Sequence, residues 1–293
     1  MNFQPGILAA VPDHARYLEF DFARPVNRSS VLEKLNGLDA GGNLMIGLGQ
    51  CLLEQLESAV PHLRSFPNFD HGGCLVPATQ SDLWVCIRGD GIGGNVHRAM
   101  EVAWGLGKEA RLIRQLDGFK YDIGRDLTGY EDGTENPVGR EAMETAFVGD
   151  AGPGLDGSSY VAVQQWVHDF DVFRSMTREE QDHAIGRDRE TNEEFDAPDF
   201  AHVKRTAQES FDPEAFLLRR SLPWSNASGS GLMFVGFGRN FDAFEAQMNR
   251  MTGRDDGIVD GLFRFSRPVT GGYYWCPPLN RAGRFDFSRL HPD

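Results

Sequence analysis

Cysteine is scarce here, and what there is lies scattered. The four present (Cys51, Cys74, Cys86, Cys276) form no C-x-x-C pair. That excludes a zinc ribbon, a thioredoxin-type redox motif and the C-x-x-C-H attachment of a c-type haem. Unpaired thiols suit a reducing compartment. Positive charge is also short: 29 Lys and Arg stand against 43 Asp and Glu, a net charge of -14. Nucleic acid and an anionic membrane surface both repel such a chain, so neither is expected as a partner. No apolar run approaches the ~20 residues of a membrane span. The opening Met1-Asn2-Phe3-Gln4-Pro5-Gly6 lacks a basic region, and Pro12, Asp13 and His14 end the apolar stretch behind it. No signal peptide is expected, and the chain reads as cytoplasmic.

What is present is ordinary for a globular protein: 293 residues, 40% hydrophobic and 25% charged, with mean hydropathy -0.40. That length fits one large domain or two of common size. Arg16 to Phe22 alternates as a half-buried strand, and Ser29-Ser30 offer an N-cap for a helix over Val31 to Leu38. Asn43 to Leu53 begins strand-like and runs into the helical pattern LLEQLESAVPHL. Leu83 to Ile87 reads as a buried strand, Asn95 to Leu106 as a helix, and Ala110 to Phe119 as another strand. The second half repeats the rhythm. Ser159 to Val167 is strand-like, a helix opens at Met176-Thr177 and runs through His183, Gly231 to Phe237 is a buried strand, and residues 241–251 form a helix. Two halves of similar order predict a duplicated α+β fold, its antiparallel sheets covered by helices on one face.

Three polar signals stand out against this frame. Gly129-Tyr130-Glu131-Asp132-Gly133-Thr134-Glu135-Asn136-Pro137 pins Asp132 between turn formers, where glycine allows positive φ and close approach to a flat ligand. Residues 184–213 are polar and long for a connection, and they carry His202 followed by Lys204 and Arg205. Arg219-Arg220 then interrupts the apolar run Phe216 to Trp224. A carboxylate, an imidazole and a guanidinium are the set a haem peroxidase needs: an iron ligand, a base for peroxide and a fixed cation beside the breaking O–O bond. Spacing does not single out the histidine, because His168, His183 and His291 also lie in the second half.

The motifs do. GYEDGTENP around Asp132 resembles the G-x-x-D-G signature of the dye-decolourising peroxidases. AHVKRT at His202 resembles that family's proximal-histidine motif, and LLRRSLPW at Arg219 its distal-arginine motif. IGRDRE at Gly186-Arg187, GLMFVGFGRNFDAFEAQMNRM and DGLFRFSRPVTGGYYWCPP from Asp260 match in the same order, from about residue 120 to 280. The Arg-Arg-Ser form is most similar to the bacterial P-type (formerly B-type) members.

The resemblance implies duplicated ferredoxin-like halves of the dimeric α+β barrel type, an N-terminal half over 1–135 and a haem-binding half over 136–293. It implies one non-covalent haem b per chain, with His202 on the iron and Asp260 (or else Asp256) on the other ring nitrogen. Asp132 becomes the distal acid–base group and Arg219 the stabilising cation, acting through a ferryl intermediate. Ser221 holds a position where other members carry asparagine. Arg187 and Arg205 are expected on the haem carboxylates, and Gly133, Thr134 and Asn136 hold the loop over the haem. A carboxylate base titrates well below histidine, so activity in mildly acidic solution is expected. The implied partners are hydrogen peroxide and small reducing substrates such as dyes and phenols, in a homo-oligomer. Trp224, Tyr273, Tyr274 and Trp275 are nominal candidates for surface-near electron relays, and core or interface packing is the ordinary reading of them. A haem carrier or iron-releasing protein would use the same His202 and fold, with less need of Asp132 and Arg219. The short ending Arg289 to Asp293 gives no reason to expect packaging into a protein nanocompartment.

Overall fold

In a computed structural model whose described residues are 2–290, alternating apolar segments become strands and the 3.6-period segments become helices. The order begins with β1 (His14–Phe22), α1 (Arg28–Asn36), β2 (Leu44–Leu48) and α2 (Gln50–Gln55). A small hairpin, β3 (Phe69–His71) and β4 (Cys74–Val76), comes next, then β5 (Leu83–Gly89), α3 (Ile92–Leu106) and β6 (Ala110–Phe119). After the central loop come α4 (Gly139–Ala146), β7 (Ser159–His168), α5 (Phe170–Ser175), α6 (Arg178–Ile185) and α7 (His202–Arg205). The chain continues with β8 (Leu218–Arg219), β9 (Leu222–Asn226), β10 (Gly229–Gly238), α8 (Asp242–Met251), β11 (Ser266–Pro268) and β12 (Gly272–Cys276). His291 lies outside the described residues.

The duplication shows in strand order. The first half lines up as β2-β5-β1-β6 and the second as β12-β7-β10-β9, each the order of a ferredoxin-like unit. All of these pairings are antiparallel. The two sheets join through Trp275↔Leu48 and Gly118↔Trp224, which close an eight-stranded barrel. Its inside is a packed core of Tyr17, Trp84, Val163, Trp224, Val235 and Tyr274, all buried. Helices lie outside, as the sequence led us to expect. In the first half Leu32, Leu35, Val102 and Leu106 fill the layer between helices and sheet.

Several sequence expectations are corrected. Asn27, not Ser29 or Ser30, caps α1, its side chain accepting from Ser30 N at 2.9 Å. The helix after β2 stops at Gln55, because Glu57 takes a positive φ of 52°. The polar stretch 184–213 carries a helix of its own, so His202 opens α7 and does not sit on an open loop. The aromatics named as surface-near are fully enclosed: Trp224, Tyr273 and Trp275 are 0% exposed and Tyr274 1%.

Candidate active site

The second half does not close its helix layer onto its sheet. Phe244, Met248 and Met251 of α8, Leu232 and Phe234 of β10, and Trp166 of β7 wall a cavity of about 850 Å³. Its walls are apolar, so the few polar groups that enter it decide what it can hold.

His202 enters from the helix side, as the first residue of the single turn α7. Its Nδ1 lies 2.8 Å from Asp260 Oδ2. Asp260 is 0% exposed, and its other oxygen accepts from Leu262 N at 2.8 Å, so the carboxylate cannot swing away. A carboxylate on Nδ1 holds the proton there and leaves Nε2 as a lone-pair donor toward the cavity. Among the described residues, no three His, Cys, Asp or Glu side chains converge as a metal-ligand set. A single imidazole therefore suits a metal that brings its other ligands with it, as a porphyrin iron does. Burial, and then the Asp260 charge, push the Cys74 thiol up to about 11, so it does not offer a competing thiolate at neutral pH.

Asp132 and Arg219 enter from the loop and sheet side. Both also line a second cavity of about 710 Å³, so they form part of the partition between the two spaces. Neither makes an ion pair among the described residues, and Arg219 Nε is buried with no hydrogen-bond partner. Such a group is costly to leave unsatisfied, and a bound ligand oxygen would satisfy it. Asn136 ties the pair together: its Oδ1 accepts from Arg219 N at 2.7 Å, while its Nδ2 donates to Gly133 O at 3.1 Å. Gly133 has φ +73°, a conformation that asks for glycine, and a Cβ there would come within 2.9 Å of Asn136 Nδ2. Ser221 lines the second cavity, and its Oγ accepts from Val235 N at 3.3 Å. Thr134 is exposed and lines neither cavity.

The two arginines expected on the haem carboxylates pair with carboxylates of the chain. Arg187 pairs with Glu135 and Glu194, and Arg205 binds Asp256 bidentately at 2.7 and 2.8 Å. Neither arginine lines the cavity. Their guanidiniums are engaged by carboxylates of the chain itself, which a sequence motif does not reveal. Of the two aspartates, Asp260 meets His202 and Asp256 is held by Arg205. Of the other histidines, His183 packs on Phe195, while His168 lines the cavity opposite no metal-ligand partner and bonds to Asp126. Asp126, Thr128 and Tyr130, all cavity-lining, carry no pattern in the sequence that would single them out.

Comparison with known proteins follows this geometry. The family model described as Dyp-type peroxidase, C-terminal, matches residues 124–281. A dye-decolorizing peroxidase of Rhodococcus erythropolis is 34% identical over 69% of this chain and 61% of its own length. One from Mycolicibacterium paratuberculosis is 31% identical over 70% and 60%. The chain thus spans about 60% of the length of such curated relatives. Among solved structures, a dye-decolorizing protein from V. cholerae superimposes with a TM-score of 0.84 at 26% identity, covering 93% of this chain and 96% of that one. An arginine-to-leucine variant of Rhodococcus jostii RHA1 DypB, in complex with heme, gives 0.87 at 25%, covering 96% and 98%. With more than half its length matched by the family's own domain, and with that domain carrying His202, Asp132, Arg219 and Asp260, the chain belongs to the Dyp-type peroxidase family.

Proposed function

We propose that this protein is a haem peroxidase of the dye-decolourising type, which reduces hydrogen peroxide with electrons from dyes, phenols or other small one-electron donors. One observation carries the reading. A single cavity receives an imidazole fixed by a buried carboxylate from one side, and an uncommitted carboxylate and guanidinium from the other. A protein that only carried haem would have no use for the second pair.

When bound, haem b, one copy per chain and non-covalent, supplies the redox chemistry on which peroxide reduction rests. His202 would hold the iron through Nε2, with Asp260 keeping the proton on Nδ1 and raising the ring's basicity. A carboxylate oxygen of Asp132 would accept the proton of one peroxide oxygen and hand it to the other, in whose departure as water the bound haem would supply the electrons. Arg219 is a permanent cation beside the charge that develops as the O–O bond breaks. Asn136 keeps the Asp132 loop and the Arg219 strand in register, with Gly133 allowing the turn. Ser221 leaves the space beside Arg219 open to small molecules from the second cavity. The apolar walls keep bulk water from these groups and strengthen their electrostatics. We further propose a cytoplasmic homo-oligomer without nucleic-acid or membrane partners; among the described residues, no helix is long and apolar enough to cross a membrane.

The test is the visible spectrum of the haem-loaded protein before and after stoichiometric hydrogen peroxide. A ferric Soret band that changes rapidly is expected, with Asp132→Asn or Arg219→Leu slowing the change about 10²–10⁴-fold. His202→Ala should abolish native-like haem absorption. Haem bound without any response to peroxide would move the assignment to a haem-handling protein.

A further inference from the structure

Three side chains from separate segments form a buried hydrogen-bonded row beside the cavity, and the chemistry above uses none of them. Ser266 Oγ of β11 lies 2.7 Å from His168 Nδ1, and His168 Nε2 lies 3.1 Å from Asp126 Oδ2. Ser266 and His168 are buried, and His168 and Asp126 line the cavity. The second oxygen of Asp126 accepts from Thr128 N at 2.8 Å and Thr128 Oγ1 at 2.6 Å. Phe170 and Phe265 stand edge-on to the imidazole, at 5.8 and 6.0 Å between centroids, and fix its plane. Asp169, the neighbouring charge, is turned away to cap α5 through Val172 N.

Asp126 stands on the turn that carries Asp132. Asp126 N donates to Tyr130 O at 2.8 Å, Asp132 N donates to Gly124 O at 3.1 Å, and Arg125 bridges Glu131. Residues 124–132 are therefore two arms bonded across, so fixing one arm fixes the other. His168 ties the first arm to β7, the strand that also supplies Gln164 and Trp166 to the cavity wall. Burial alone would push the Asp126 carboxyl up, but His168 and Thr128 bring it below the ordinary value, so the row favours its carboxylate form. A buried polar row whose members all find hydrogen-bond partners is rigid and fixes one arrangement.

We infer that His168 is a positioning residue for Asp132: the Ser266–His168–Asp126 row sets where the 124–132 turn, and the carboxylate it carries, stands at the cavity. The inference rests on the reading of Asp132 as the proton-transfer group.

The test compares His168→Leu with His168→Gln, whose amide keeps a donor near the Nε2 position. Two readouts are needed. One is amide hydrogen exchange in the protein without added haem, and the other is the rate of the peroxide-induced Soret change in the loaded protein. His168→Leu should speed exchange at Asp126 and Asp132, whose amides donate across the two arms, and slow the peroxide step about tenfold, with haem affinity within about threefold of wild type. His168→Gln should restore most of both. In an Asp132→Asn background, His168→Leu should slow the step no further, because it acts only through Asp132. Unchanged exchange, an undiminished effect in that background, or a matching loss of haem affinity would each overturn the inference. Should His168→Leu not fold, Ser266→Ala loosens the same row from its outer end and is read the same way. A wild-type protein with no peroxide response would sink the peroxidase reading, while the exchange comparison still decides whether His168 fixes the turn.

Discussion

Asp126 shows how one side chain can tie stability to pH. Its carboxyl sits below the ordinary range in the fold because His168 and Thr128 outweigh the burial that would raise it. A depressed folded pKa contributes stability that is fully present above the unfolded value, near ~3.9, and is lost as pH falls through the folded one. Asp126→Asn removes that contribution. Its melting temperature should therefore fall below wild type at neutral pH by about 2–4 °C, taking the loss as about 1 kcal/mol. The gap should close as the solution is acidified through pH ~4 and below, which thermal unfolding across pH would read directly. A gap that widened in acid would mean that the carboxylate is not the stabilised form. Neither Asp126 nor His168 could be assigned from spacing, because 42 residues separate them and only the fold brings them together. His202, Asp132 and Arg219 stand out because short motifs frame them, whereas Glu194 and Asp256, which pair with Arg187 and Arg205, lie outside those motifs.

Among the elements, the long ones were the readable ones. β1, β5, β6, β7, β10, α3 and α8 carry enough periods for alternation or helical spacing to show. α7 has four residues and β8 two, too few for any period, yet these are the two elements that present His202 and Arg219. Site elements are short here because each only has to aim one side chain, and the β7–β10 pair behind them supplies the rigidity. That pair runs in register from Gly231↔Val167 to Gly238↔Tyr160. At Gly231 a Cβ would lie 2.1 Å from Trp166 O, the same oxygen that accepts from Trp224 Nε1 at 2.9 Å. Gly231→Ala must therefore push β10 off β7 or break the Trp224 bond. It should cost about 2–3 kcal/mol by denaturant titration, and it should weaken haem binding because Trp166 walls the cavity. Thr177→Ala, which removes the capping box of α6, makes a useful contrast. It should cost about 1 kcal/mol and leave haem affinity alone.

At the scale of the molecule, the duplication and the barrel pull in different directions. Strand order divides the chain into two ferredoxin-like units between β6 and β7, which suggests halves that fold separately. The core argues otherwise. The barrel interior draws Tyr17, Trp84 and Leu116 from the first half, and Val163, Trp224, Met233 and Tyr274 from the second, into one packed cluster. Among the described residues the two sheets are paired strand to strand at Trp275↔Leu48 and Gly118↔Trp224 alone, so few ladder hydrogen bonds hold the halves together. This is why hydrophobic patterning revealed two sheets but not their closure: single-pair seams leave no periodic trace. A fragment of residues 136–293 keeps the whole cavity lining except Asp126, Thr128, Tyr130, Glu131 and Asp132, and with it most of what haem would contact. It would also open the inner face of its sheet to water, including Trp224 and Tyr274, which are 0 and 1% exposed in the whole chain. Apolar burial at ~25 cal/mol per Å² is the main term holding such a layer together, and the fragment forfeits the inner half of it. We expect fragment 136–293 alone to aggregate or to unfold without a cooperative transition. Co-expression with fragment 1–135 should restore a single thermal transition and haem uptake together. A fragment that melted cooperatively on its own would mean that the halves are true domains, and that the shared barrel core is a docking interface between them.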